Sequence, residues 1–165
     1  MSATLREWTA LLVLVTIALV LPWAVQTVGV PDWNTWYQSL ERPAWTPPRW
    51  AFPVVWPILY VMMSVAAWLV WRRAGWDRGG FALGLFGVQF VVNAAWTWVF
   101  GGLKSLSGAF WWILLLWILI AATIMAFRRH SGVAAALLLP YLAWVTFAAA
   151  LSYAIWQLNA GRPGF

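Results

Sequence analysis

Long apolar runs, separated by short charged clusters, dominate this sequence. Five stretches contain no Asp, Glu, Lys or Arg: residues 8–31, 50–71, 79–103, 105–127 and 131–161. Each is longer than the roughly 20 residues that a helix needs to cross the hydrocarbon core of a bilayer. The runs lack the polar–apolar alternation of a transmembrane barrel strand. The pattern therefore predicts five transmembrane helices.

The charged clusters set the expected boundaries and the topology. We predict helices at residues 7–28, 51–71, 80–101, 107–128 and 133–158. Short connectors make consecutive helices antiparallel neighbours in one bundle, and these connectors are 72–79, 102–106 and 129–132. The first apolar stretch is too long for the core of a signal peptide, and no A-x-A cleavage site follows it. Residues 1–165 are thus predicted to form a single all-α domain, an integral membrane bundle of five transmembrane helices.

Composition and charge agree with a membrane protein. Apolar residues make up 64% of the chain and charged residues only 8%, a balance that excludes an ordinary soluble domain. The net charge of +6 comes from short clusters and not from a basic stripe, so no nucleic-acid partner is expected. Six basic residues lie on the side of the N-terminus and four on the other side. This asymmetry predicts a cytoplasmic N-terminus.

The one long connector, residues 29–50, has a pattern of its own. Asp32 can cap a helix, and the residues that follow at positions i, i+3, i+4 and i+7 form one face of a short helix: Trp33, Trp36, Tyr37 and Leu40. Prolines at 43, 47 and 48 prevent this helix from continuing. Two interpretations fit the connector: an ordered segment that lies over the mouth of the bundle, or an interfacial aromatic belt.

The sequence offers little conventional catalytic chemistry. No charged residue lies in the middle of a predicted span, where pumps and proton relays normally need one. The sequence has no cysteine, and its lone histidine, His130, falls in a predicted loop, so neither a metal site nor a bound cofactor is expected. Lys104, the only lysine, also falls in a loop.

Tryptophan is the conspicuous residue, with 17 copies. An interfacial belt accounts for those near helix ends but not for Trp56, Trp96 and Trp144, which fall inside predicted spans. These three residues either pack in the core or line a site for a flat, mostly apolar ligand. Gln89 and Asn93 share one face of the third span, where they either hydrogen-bond to another helix or provide polar groups inside such a site.

One extended motif identifies a family. Its central part reads Trp36-Tyr37-x-x-Leu40-x-Arg42-Pro43-x-Trp45-x-Pro47-Pro48-x-Trp50, followed by Val55-Trp56-x-x-Leu59-Tyr60. Further matches are Gln89-x-x-x-Asn93-x-x-Trp96 and Pro140-Tyr141-Leu142-Ala143-Trp144. The motif closely resembles that of the TspO/MBR family of tryptophan-rich sensory and translocator proteins. The resemblance covers nearly the whole chain after the first predicted helix.

The resemblance implies a five-helix homodimer that binds porphyrins, such as protoporphyrin IX, and hydrophobic drug-like ligands in a pocket closed by the long connector. The predicted ligand-binding residues are Tyr37, Trp45, Phe52, Trp56, Asn93, Trp96, Trp144, Ala148 and Leu151. Three functions stay open: a receptor or sensor, a light- and oxygen-dependent porphyrin-degrading enzyme, or a passive translocator of tetrapyrroles or lipids. In the enzyme, the resemblance implies that Trp56 and Trp144 form the catalytic pair.

Small residues on the third predicted helix suggest a contact between two copies of the chain. Gly80 and Gly84 form a small-xxx-small pair, and Gly87 extends the same face. In lipid, close backbone approach across small residues is a main source of helix association. We expect a homodimer with this helix at its centre; the alternative is that the glycines let the helix pack inside its own bundle.

Overall fold

The computed structural model describes residues 3–29 and 33–161, and these ranges contain helices and no strands. The helices are α1 (Ala3–Gly29), α2 (Trp33–Ser39), α3 (Ala51–Thr97), α4 (Leu106–Arg128), α5 (Gly132–Leu137) and α6 (Leu139–Asn159). A π-helical turn, Trp98–Gly102, extends α3. The predicted all-α class is confirmed.

Helix α3 contains two of the predicted spans, and the interruption between them is shorter than the predicted connector 72–79. The chain is helical on both sides of a single break at Gly75, whose φ of 61° and ψ of −166° are accessible to glycine and strained for other residues. Arg72 and Arg73 lie in the last turn of the helix before the break and Asp77 in the first turn after it, where their charges complement the helix dipoles. We call residues 51–74 the first arm of α3 and residues 76–97 the second arm.

The lengths of the helices fix the number of membrane crossings. Within the described residues, four helical segments are long and apolar enough to span a bilayer: Thr4–Val28, Ala51–Gly102, Leu106–Arg128 and Gly132–Asn159. The second of these is 52 residues long and broken at Gly75, and each of its arms exceeds the roughly 20 residues required for one crossing. Tyr60 of the first arm hydrogen-bonds to Asn93 of the second arm, so the two arms lie side by side and the chain reverses at Gly75. The helices are therefore long enough for five crossings, as predicted.

The last span also departs from the prediction of one helix over 133–158. It consists of α5 and α6, with Leu138 between them. Pro140 lies in the first turn of α6, where it has no N–H to donate to the preceding turn. Ser131 caps the start of α5 by accepting a hydrogen bond from the Ala134 amide at 3.2 Å, and Ser105 caps α4 in the same way.

The buried apolar side chains of residues 3–29 and 33–161 form two clusters. The larger cluster, here the main cluster, joins α1, both arms of α3, α4, α5 and α6, with Met63, Val70, Ile120, Phe127 and Tyr141 among its most buried members. The smaller one lies at the end of the bundle near α2, and we call it the loop-side cluster: Trp36, Leu40, Val99, Phe100, Leu106, Ala109, Leu151 and Ile155. The junction of the two clusters is where the predicted site residues lie.

Candidate ligand-binding site

Helix α2 covers one end of the bundle. Trp36 and Leu40 are buried, and Tyr37 is half-buried against the same loop-side cluster. The Trp36 ring centroid lies 5.1 Å from that of Phe100, and the Tyr37 centroid 6.2 Å from it, both edge-to-face. The predicted aromatic face of the connector is confirmed for these residues, whereas Asp32 and the Trp33 side chain lie outside the described residues. These contacts favour the interpretation of the connector as an ordered segment over the bundle.

Two kinds of contact hold the segment after α2 in place. The Arg42 guanidinium lies 5.1 Å from the centroid of the Tyr37 ring, a cation–π arrangement. At the end of α6, Asn159 Oδ1 accepts a hydrogen bond from the Glu41 amide at 3.0 Å, and Asn159 Nδ2 donates to the Glu41 carbonyl at 2.9 Å. The Arg-Pro motif is therefore tied both to α2 and to the last transmembrane helix.

Aromatic side chains join the first arm of α3 to α6 and form the first wall of the candidate site. Phe52 contacts Trp144 edge-to-face at 5.9 Å, and Trp56 contacts Tyr141 at 6.4 Å. The Trp56 ring also stacks on Tyr60 at 5.3 Å. The two predicted catalytic tryptophans therefore lie on facing helices, each in contact with an aromatic residue of the opposite helix.

Trp45 marks the outer edge of this wall. Its ring contacts Phe147 edge-to-face at 5.7 Å, and Phe147 in turn lies 5.8 Å from Trp144. Trp45 is 49% exposed, more than the half-buried Phe52, Trp56 and Trp144. It belongs to the rim of the site and not to its interior.

The second wall is formed by the end of the second arm of α3. The Trp96 ring stacks nearly parallel on Phe100, with centroids 5.0 Å apart and an interplanar angle of 8°. Its indole Nε1 donates to the Ala109 carbonyl of α4 at 3.1 Å, so the ring orientation is fixed and the N–H is already used. Trp96 packs against both the main cluster and the loop-side cluster. It therefore marks the junction of the clusters, with one ring face stacked on Phe100.

The π-helical turn positions Phe100 within this wall. The Leu103 amide donates to the Trp98 carbonyl at 2.9 Å, the i to i+5 spacing of a π-turn. Such turns insert one extra residue into a helix and frequently occur at functional sites. Here the turn brings Phe100 into contact with Trp36, Tyr37 and Trp96.

A buried polar bridge connects three spans between the walls. The Tyr60 hydroxyl donates to Asn93 Oδ1 at 3.2 Å, and Asn93 Nδ2 donates to the Tyr141 hydroxyl at 2.9 Å. The Tyr141 hydroxyl donates to Gln89 Oε1 at 3.2 Å. All four side chains are buried. Both predicted amides thus make interhelical hydrogen bonds, while Gln89 Nε2 has no hydrogen-bond partner among the described residues.

Two residues of α6 lie on either side of the cluster junction. Ala148 is half-buried and packs against the main cluster, whereas Leu151 is buried in the loop-side cluster. Residues four apart on a helix share a face, so that Ala148 lies one turn from Trp144 on the same side of α6. The predicted site residues therefore surround one junction, with Trp45 at its rim.

Several side chains that hold this region together were not predicted from the sequence as site residues. Tyr60 and Tyr141 belong to the family motif but were not predicted as site residues, and neither was Phe100. A tyrosine inside a membrane span signals a buried hydrogen bond, because its hydroxyl needs a partner there. Asn159, which holds the Glu41 backbone, is an amide at the end of an apolar run. Such an amide likewise indicates a buried hydrogen bond.

The chemistry of the region is that of stacking and hydrogen bonding. Its walls are indole, phenol and phenyl rings, and its polar atoms are amides and hydroxyls. The described part of the chain contains no group of three or more His, Cys, Asp or Glu side chains close enough to hold a metal ion. The arrangement suits a planar apolar ligand that also carries polar substituents.

The fold and its aromatic contacts together define a class: an α-helical, multi-pass membrane protein whose first long connector lies over an aromatic region of the bundle. The chain belongs to the TspO/MBR family, whose sequence model matches residues 10–157. It is 44% identical to a translocator protein of Ovis aries over 133 residues, which are 77% of this chain and 76% of that protein. It is 39% identical to a tryptophan-rich sensory protein of Cereibacter sphaeroides over 130 residues, which are 79% of this chain and 80% of that protein.

The similarity extends beyond these two proteins. A tryptophan-rich protein TspO of Chlorobaculum tepidum is 43% identical over 126 residues, which are 75% of this chain and 79% of that protein. The matched family region contains both arms of α3 and the connector with α2. Every residue of the predicted site therefore lies inside the family match.

Proposed function

We propose that this protein is a membrane receptor that binds porphyrins, such as protoporphyrin IX, and other flat hydrophobic molecules at the junction of the two apolar clusters. The observation that carries the proposal is the pair of aromatic walls on either side of the Tyr60–Asn93–Tyr141 bridge, under the ordered α2. A planar ligand bound at this junction would replace contacts between aromatic side chains with contacts to its own two faces. Little stacking energy would therefore be lost. Its polar substituents would find amide and hydroxyl groups nearby.

Titration of the purified protein with protoporphyrin IX tests the proposal. Because Trp56, Trp96 and Trp144 surround the site, we expect saturable quenching of tryptophan fluorescence with one porphyrin per protomer. A matched titration of the Trp111→Phe variant controls for the many other indoles, since Trp111 lies 63% exposed on α4. Quenching that grows without saturation would indicate partition into detergent or lipid and would contradict the proposal.

A second candidate function is light- and oxygen-dependent degradation of the bound porphyrin, with Trp56 and Trp144 as the catalytic pair. The supporting observation is that Trp56 stacks on Tyr60 and contacts Tyr141, whose hydroxyls belong to the polar bridge. These electron-rich rings would lie beside a photoexcited ligand. Illumination of the complex in air separates the two functions: a stable bound spectrum supports the receptor, and loss of the porphyrin spectrum with one defined product supports the enzyme.

Passive translocation of tetrapyrroles or lipids is the third possibility, and the related proteins named translocator proteins motivate it. Transfer of porphyrin between two populations of vesicles, only one of which contains the protein, measures it directly. Faster transfer that saturates with porphyrin concentration would support translocation. A rate equal to that of protein-free vesicles would leave binding as the function.

Assembly and orientation complete the proposal. A homodimer with the second arm of α3 at its centre is supported by its outward face, where Gly84 and Gly87 are exposed and Gly80 is half-buried. A Cβ added at any of these glycines meets nothing within 4 Å in its own protomer. The glycines are therefore not required for packing within the bundle. The N-terminus is proposed to be cytoplasmic because the basic residues are more numerous on that side.

A further inference from the structure

The end of the bundle opposite the candidate site concentrates positive charge. Six arginines lie there, at the starts and ends of α1, the two arms of α3 and α4: Arg6, Arg72, Arg73, Arg78, Arg128 and Arg129. The carboxylates that the described residues place at the same end are Glu7 and Asp77. An end with this charge attracts anions at the membrane surface.

A groove of about 240 Å³ opens at this end between α1 and the first arm of α3, lined by Glu7, Leu69, Arg72 and Arg73. Arg72 Nε lies 3.0 Å from Glu7 Oε2, and the Arg72 guanidinium lies 4.5 Å from the Trp68 ring centroid. The Trp68 indole N–H donates to the Glu7 carbonyl at 2.8 Å, which fixes α1 against α3. Glu7 therefore balances Arg72, and the excess positive charge of the groove resides on Arg73.

The position of the groove along the membrane normal follows from its neighbours. Trp8 and Trp76 are 54% and 67% exposed at the same end, and exposed tryptophans at the ends of spans lie at the level of lipid headgroups. Leu69 lies about one helical turn deeper in the span than Arg73. The groove thus combines a cationic side chain at headgroup depth with an apolar wall that leads toward the hydrocarbon.

We propose that this groove binds an anionic glycerophospholipid. The phosphate accepts hydrogen bonds from the Arg73 guanidinium and shares Arg72 with Glu7, while the first part of an acyl chain packs on Leu69. A zwitterionic lipid has the same phosphate, but its ammonium group would lie near Arg73. The groove therefore selects for net negative charge in the headgroup, whatever molecule the bundle interior binds.

Native mass spectrometry of the whole protein in detergent tests the proposal by titration with phosphatidylglycerol and phosphatidylcholine of identical chains. We expect tighter binding of phosphatidylglycerol, and Arg73→Gln should weaken it roughly fivefold, the value for one basic group near a charged surface. Arg49→Gln, an exposed arginine at the opposite end, is the matched control and should change neither affinity. Equal affinities for the two lipids, or equal losses in the two variants, would overturn the proposal.

A second variant should raise the affinity for phosphatidylglycerol instead of lowering it. Glu7→Gln removes the carboxylate that competes with the phosphate for Arg72, while the Glu7 backbone carbonyl still accepts from Trp68. We therefore expect phosphatidylglycerol to bind a few-fold more tightly to this variant than to the parent protein. Weaker binding in a variant with parental helical content would contradict the site. Displacement of the lipid by low millimolar inorganic phosphate would show a simple anion site and would also refute the proposal.

Discussion

Asn159, the last residue of α6, holds the backbone of Glu41 through both atoms of its amide. Oδ1 accepts from the Glu41 N–H at 3.0 Å and Nδ2 donates to the Glu41 carbonyl at 2.9 Å, across 118 positions of sequence. Nδ2 also lies within hydrogen-bond distance of the Ile155 carbonyl, at 2.8 Å, which orients the side chain. The segment after α2 is therefore fastened to the last span.

Replacement of Asn159 by alanine should loosen this fastening. Loss of the side chain leaves the Glu41 N–H and carbonyl without this partner, at a cost of about 1–3 kcal/mol. We expect faster hydrogen exchange of the backbone amides of residues 36–41 and faster release of a bound porphyrin. Gln157→Ala, an exposed residue two positions earlier on α6, serves as control. Equal exchange in the two variants would show that Asn159 does not hold the connector.

Conversion of Trp56 or Trp144 to phenylalanine should impair ligand binding or photochemistry while the fold stays intact. Phenylalanine keeps much of the apolar area but lacks the indole N–H and the larger ring face that contacts Tyr141 or Phe52. Porphyrin titration and illumination of each variant, beside Trp111→Phe, measure the effect. Parental binding and reaction in both variants would place the ligand elsewhere.

The polar bridge predicts unequal effects for its two tyrosines. Tyr141→Phe removes the hydroxyl that accepts from Asn93 and donates to Gln89, whereas Tyr60→Phe removes only one donor. A hydrogen bond inside a membrane protein contributes on the order of 0.6 kcal/mol, with extremes near 1.7 kcal/mol. We expect the larger loss of thermal stability for Tyr141→Phe, measured by unfolding in detergent. The reverse order would show that the bridge does not determine stability here.

Enlargement of Ala148 should reduce the space at the cluster junction. Ala148 is half-buried against the main cluster one turn from Trp144, whereas Ala150 is exposed on the outer side of α6. We expect Ala148→Leu to weaken porphyrin binding several-fold and Ala150→Leu to leave it unchanged. Fluorescence titration measures the porphyrin affinity of both variants. Equal affinities would show that Ala148 does not line the site.

Gly84→Leu should separate two protomers without disturbing either one. A Cβ added at Gly84 meets nothing within 4 Å in its own chain, so a leucine there projects from the protomer and keeps a second backbone at a distance. Light scattering in detergent should show a monomer for this variant. Ala136→Leu, at an exposed position of α5, should keep the dimer. A dimer that persists in Gly84→Leu would place the interface on another helix.

The sequence by itself determined the number of spans, the all-α class and the short helix in the first connector. These features depend on local properties: the length of charge-free runs relative to the bilayer, and prolines at 43, 47 and 48 that end the helix before Arg42. The family motif also assigned the region of the site, because its residues recur at fixed spacing along the chain.

The tertiary structure alone decided how these elements are joined and which polar groups meet. The break at Gly75, where a charged connector was expected, depends on a backbone conformation that the sequence around it does not specify. Asn93 could have found its partner on any neighbouring span, and only the packing of the helices selects Tyr60 and Tyr141. The same holds for Asn159 and Glu41, because contacts between distant residues arise from the arrangement of the helices and leave no periodic signal in either segment.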